Sequence, residues 1–170
     1  MGATSAGLLL YRIIPGGVVE VLIAHPGGPF WARKDEAAWS VPKGEYLPGE
    51  NPLGAAYREF EEEVGLKPPD GEAIFLGERR QPGGKRVSVW TLSGNLDVTR
   101  ASSNTFELEW PKGSGRVLEF PEVDRVEWVS IDGARRKLVK GQAPFLDALL
   151  EAIGRGADCS DRGSAAPATD

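Results

Sequence analysis

Gly44-Glu45-Tyr46-Leu47-Pro48-Gly49-Glu50 is followed, after seven residues, by Arg58-Glu59-Phe60-Glu61-Glu62-Glu63-Val64-Gly65-Leu66. The second half carries helix signals at both ends. Asn51 suits an N-cap, and Pro52 suits the first helical position, where its missing N–H goes unused. Gly65 suits the terminating residue, and Pro68-Pro69 forbids continuation. The spacing predicts a helix over 52–64, about 20 Å long at about 1.5 Å per residue. At about 100° per residue, Leu53, Tyr57, Phe60 and Val64 form an apolar stripe for the core. Glu59, Glu62 and Glu63, at i, i+3 and i+4, share a separate face. Ala55 and Ala56 lie beside that face, leaving room for another backbone or a phosphate. Glu61 points elsewhere. Four carboxylates in five residues repel one another, and compensating pairs return only about 0.2–0.5 kcal/mol each. A solvated charge run does not explain so positional a pattern; a hard divalent cation, which takes oxygen ligands, does.

The remaining chain reads as scaffold. With 170 residues, 41% of them apolar and five Trp, it is long enough for one domain with a core. The domain is expected over 1–153, with 154–170, poor in apolar residues, as a disordered tail. Ala6 to Ile14 and Val18 to Ala24 read as strands of a hairpin around Pro15-Gly16-Gly17, and their apolar runs suggest cover on both faces. His25 to Trp39 reads as a loop. Strands follow at 72–81 and 85–93 around Pro82-Gly83-Gly84, and a short one at 126–129. Residues 95–120 read as a surface excursion, and 132–138 and 144–153 as helices.

Charge and cysteine content exclude several classes. The net charge of −5 argues against duplex nucleic acid as a partner. An acidic protein acting on an acidic phosphate also needs a divalent ion between them. The single Cys159 excludes an internal disulfide and, with only one His, a zinc cluster. No apolar run reaches the roughly 18 residues of a membrane span, and no basic segment precedes the first apolar stretch. The reading is a soluble, cytoplasmic protein, monomer or homodimer, with no membrane partner.

The pattern G-x5-E-x7-R-E-U-x-E-E-x-G-U, with U a bulky apolar residue, resembles the Nudix box, and every fixed position is filled. That resemblance implies an α/β Nudix fold, a mixed β-sheet sandwiched between α-helices. It implies a Mg²⁺-dependent hydrolase, with Mn²⁺ as a substitute, that cuts a phosphoanhydride in a nucleoside diphosphate linked to X. By the same resemblance Glu59, Glu62, Glu63 and the Gly44 carbonyl hold metal, with Glu59 a ligand or the base that activates water. Arg58 is expected to hold Glu50 and Glu62, because fixed carboxylates need supporting partners. Trp39-Ser40-Val41-Pro42-Lys43-Gly44 is similar to the W-x-x-P-K-G approach of dinucleoside polyphosphate and diphosphoinositol polyphosphate hydrolases.

Outside the box, Glu122 is the favoured auxiliary carboxylate, with Glu107, Glu109 and Glu119 as rivals. Lys43 is a candidate phosphate contact. His25 has two readings, phosphate contact or structural loop residue. Phe30, Trp31 and Trp39 are candidates for stacking a nucleobase, Trp31 foremost and Trp39 better placed as core. The preferred substrate is a dinucleoside polyphosphate or nucleoside triphosphate, followed by ADP-ribose or a nucleotide sugar. A non-catalytic nucleotide-sensing module is a different class, against which the intact glutamates speak. An isomerase of the isopentenyl diphosphate type needs a catalytic Cys, and Cys159 is in the expected tail.

Overall fold

The structure is a computed structural model and describes residues 3–161. Strand β1 (Thr4–Ile14) turns through Gly16 and Gly17 into β2 (Val18–Pro26), antiparallel from Ile14↔Val18 to Tyr11↔Val21. Both glycines take positive φ, the conformation that lets so short a turn follow the strand twist.

β1 organises everything else. One of its edges pairs in parallel with β5 (Arg86–Ser93) from Thr4 to Tyr11. A strand has two edges, so its remaining partners share the other one. There β2 takes Tyr11–Ile14, and β3 (Lys43–Glu45) takes Ser5–Gly7. β2 thus departs from β1 and leaves a gap that β3 fills. β4 (Ile74–Arg80) extends the sheet beyond β5, and β8 (Val123–Ser130) extends it beyond β2.

Side chains alternate across this sheet and build a core on each face. Leu8, Leu10 and Leu22 pack with Phe60 and Val64 of helix α1 (Pro52–Val64). Leu9, Val21 and Ile23 pack on the opposite side with Leu138, Phe145, Leu146 and Leu149, around α2 (Ile131–Lys137) and α3 (Pro144–Asp161). The mixed sheet between helices is the expected fold. It accounts for the near-continuous apolar runs of β1 and β2.

Four expectations need correction. The buried face of α1 is Ala55, Ala56, Phe60 and Val64, while Leu53 is only half-buried and outside the cluster. The alanines hold no space for a phosphate; their small side chains let the helix backbone settle onto β1. Second, the 95–120 excursion contains β6 (Thr105–Glu109) and β7 (Val117–Pro121), a separate two-stranded sheet. Phe106, Leu108 and Trp110 do alternate with Glu107 and Glu109, but β7 carries Val117 and Leu118 on opposite faces. Pairing rather than burial therefore defines this hairpin. Third, β8 begins at Val123, three residues earlier than expected. Fourth, α3 continues to Asp161, past the helix end at 153 read from the sequence. The remainder of the expected tail, 162–170, lies outside the described residues.

Candidate active site

The α1 caps match the sequence reading. The Asn51 side chain accepts from Gly54 N at 3.2 Å, and Gly65, at φ 74°, ends the helix with its N–H on Glu61 O. Only a residue at ease in the left-handed region serves at position 65.

The helix presents its glutamates toward β3. Gly44 lies so close that a Cβ there would collide with the Glu59 carboxylate. Glu63 is tucked inward, where Lys43 N donates to its Oε2 at 3.2 Å. Burial pushes the Glu63 carboxyl up to about 8. Glu59 and Glu122 add to the rise, while the Lys43 amide and ammonium oppose it. Burial likewise raises Glu59, reinforced by Glu62 and Glu122 and opposed by Arg58. Burial lowers Lys43, against the pull of Glu63. Glu122, outside the box, is a carboxylate whose field reaches both Glu59 and Glu63. Glu107 and Glu119 instead face one another across the β6–β7 hairpin, and Glu109 accepts from Gly115 N.

Arg58 donates to Glu50 Oε2 at 3.2 Å, to Glu59 Oε1 at 3.3 Å and to the Glu45 carbonyl at 3.4 Å. The expected Glu62 partner is replaced by Glu59, because the guanidinium turns toward β3 and the loop bearing Glu50. It fastens the helix to that loop.

The segment after the box returns to the same place. Ser102 N donates to Val64 O, Asn104 N to Glu62 O, and Glu122 N to Asn104 O. The β6–β7 hairpin therefore leaves and rejoins the fold beside the box helix, and this delivers Glu122. A cleft of about 230 Å³ lies there, with Glu63, Ser102, Ser103, Asp124, Arg125 and Glu127 in its wall.

The expected substrate contacts divide. His25 is fully buried, with Nδ1 2.6 Å from Asp124 Oδ1 and Nε2 2.6 Å from the Lys34 carbonyl oxygen. Both nitrogens are taken, so the phosphate-contact reading gives way to the structural one. His25 pins the 27–38 loop to β8. Trp39 is fully buried, donates to Asp35 and has Lys137 over its ring. Trp31 packs against the cluster on the far side of the sheet from α1, with Lys34 over its ring. Its neighbour Phe30 is the exposed aromatic, edge-on to Trp110 of the hairpin at 5.2 Å. Of the three stacking candidates, Phe30 is the most exposed.

Gln142 escaped the sequence reading. Fully buried, it accepts from Val41 N at 2.8 Å and donates to Ser40 Oγ at 3.0 Å, holding the strand that leads into Lys43 and Gly44. A lone glutamine between two helices gives no periodic signal.

The donor set, carboxylates plus a close backbone at Gly44, consists of oxygen and fits a hard divalent ion. Among the described residues no three His, Cys, Asp or Glu side chains stand close enough to enclose a metal. Glu59 is turned to Arg58, and Glu63 to Lys43. Like charges held apart in this way repel less.

The NUDIX domain family model matches residues 16–149. The chain belongs to the NUDIX domain family. An RNA pyrophosphohydrolase of Francisella tularensis subsp. tularensis is 43% identical over 58 residues, which are 34% of this chain and 37% of that protein. The match thus spans little more than a third of its curated relatives' length. A mutT/nudix family protein from Listeria innocua superposes with a TM-score of 0.62 at 16% identity, covering 92% of this chain and 97% of that one. A C. elegans Ap4A hydrolase binary complex gives 0.57 at 22% identity, covering 90% and 98%. At these identities the two structures attest the Nudix fold. Among the described residues no helix is long and apolar enough to cross a membrane.

Proposed function

We propose that this Nudix domain hydrolyses a phosphoanhydride bond in a nucleoside polyphosphate with the help of a divalent ion, Mg²⁺ or Mn²⁺. The observation that carries the reading is the convergence of Glu59 and Glu63 with the Gly44 backbone, under the field of Glu122 from another element. Glu59, Glu62, Glu63 and the Gly44 carbonyl would hold the ion, which when bound supplies charge neutralisation at the phosphates. Arg58 keeps Glu59 and Glu50 in place. Lys43 balances Glu63 and is set to meet a phosphate oxygen. Glu122 accepts the proton of the attacking water. Phe30 and Trp110, edge-on to one another, would offer an aromatic pair to a nucleobase.

A dinucleoside polyphosphate or nucleoside triphosphate is the first reading of the substrate. The 5′-polyphosphate end of an RNA is the second, favoured by the 58-residue match to RNA pyrophosphohydrolases. Phosphate release from a panel of such substrates, with and without Mg²⁺, tests both. The paired change Glu62→Gln, Glu63→Gln should abolish metal-dependent turnover with the far-UV spectrum unchanged. Glu122→Gln should lower kcat by about 10²–10⁴-fold, whereas Glu119→Gln should not. Full turnover by the paired variant would sink the reading.

A further inference from the structure

Glu122 sits between β7 and β8, and the backbone at 122–123 is held from several sides. Glu122 N donates to Asn104 O at 2.8 Å, and Glu122 O accepts from Gly27 N at 2.9 Å. Val123 turns its own polar groups elsewhere. It stands opposite Pro26, which has no N–H to give, so the bonds of that bridge fall on the flanking residues. The N–H and C=O of Val123 therefore point away from β2. β8 is the last strand of its sheet, so no further strand meets them, yet Val123 is buried. Buried backbone groups need partners. One hydroxyl supplies them. Ser103 Oγ accepts from Val123 N at 3.0 Å and lies 2.9 Å from Val123 O and 2.8 Å from Asn104 O, to which its proton is donated.

The backbone on either side of Ser103 is bonded to the box helix. The last carbonyls of a helix have no partner within it. Here Val64 O accepts from Ser102 N at 2.8 Å, and Glu62 O accepts from Asn104 N at 3.0 Å. The segment 102–104 thus gives its amides to α1 at 102 and 104 and its central side chain to β8. Ser103 couples the helix that bears Glu59, Glu62 and Glu63 to the segment that bears Glu122. Gly27 closes the junction from the other side, where a Cβ would fall on the Pro121 carbonyl oxygen.

We infer that Ser103 is a positioning residue for the reaction, setting the Glu122 carboxylate against the metal face of α1. The inference rests on the hydrolase reading above, in which Glu122 accepts the proton of the attacking water. A base acts only within hydrogen-bond reach of that proton, about 2.6–3.2 Å between heavy atoms. A misplacement of about 1 Å can cost about 10²-fold in rate. Without the hydroxyl the Val123 N–H loses this acceptor, and the junction that carries Glu122 loses its tie to 102–104 at that point.

The test is a double-mutant cycle on kcat in the full chain with Mg²⁺, combining Ser103→Ala with Glu122→Gln. The probes are ATP, diadenosine tetraphosphate and a 5′-triphosphorylated RNA, and the cycle uses whichever the native chain hydrolyses. In the native background Ser103→Ala should lower kcat about tenfold and leave KM within about twofold. In the Glu122→Gln background the same change should alter kcat by less than about twofold, because the group it positions is already gone. Ser103→Cys, close to serine in volume but a weak donor, is read by the same cycle and replaces Ser103→Ala if that variant does not fold. Equal losses in both backgrounds, a loss confined to KM, no loss, or full turnover by Glu122→Gln overturns the inference and leaves the hydrolase reading standing. A native chain that hydrolyses none of the three substrates removes the hydrolase reading and this inference together.

Discussion

Glu63 illustrates how one carboxylate reports on its setting. Folding raises it from 4.5 to about 8, chiefly by burial. A carboxyl raised on folding contributes stability that is present below about 4.5 and lost as pH rises toward about 8, because the folded state binds the extra proton. In chelator-treated protein the melting temperature of Glu63→Gln should therefore match the native protein near pH 5 and exceed it by several degrees near pH 9. A constant difference across that range would mean that Glu63 is not buried as described. At this scale the box was legible, since i, i+3 and i+4 spacing alone puts Glu59, Glu62 and Glu63 together. The partner of Arg58 was not. Glu59 and Glu62 are both within reach along the helix, and only the position of β3 and Glu50 decides between them.

Elements differ in how much of their placement is local. Helix α1 carries its own start and stop in Asn51, Pro52 and Gly65, and its bounds match the expectation to the residue. The β3 strand has no such signals. It is three residues long and is held by pairing with β1 and, just before it, by Gln142. Gln142→Leu would leave the Val41 N–H unsatisfied in the core, at about 1–3 kcal/mol. Thermal unfolding should fall by several degrees, with turnover falling as Lys43 and Gly44 lose their footing. An unchanged melting temperature would remove Gln142 from this role. The β6–β7 hairpin is the opposite case to α1. It is defined by backbone pairing over a largely exposed stretch, so hydrophobic patterning says little about it.

At the scale of the molecule, one strand serves two cores. Leu8 faces α1 and Leu9 faces α3, and both are fully buried. Leu8→Ala and Leu9→Ala should each cost about 2–5 kcal/mol, and urea unfolding of either should remain one transition reported alike by fluorescence and circular dichroism. Two separated transitions would mean that the faces fold independently. The sequence by itself determined the box helix, its caps, its glutamate face and the double-sided character of β1 and β2, because those follow from periodicity and local backbone chemistry. Only the tertiary structure decided which distant groups lie near that helix, the segment bearing Glu122 beside it and Gln142 behind β3. It also withdrew His25 from the solvent face. Such choices depend on which edge of β1 each later strand finds, and that is settled by packing over the whole chain.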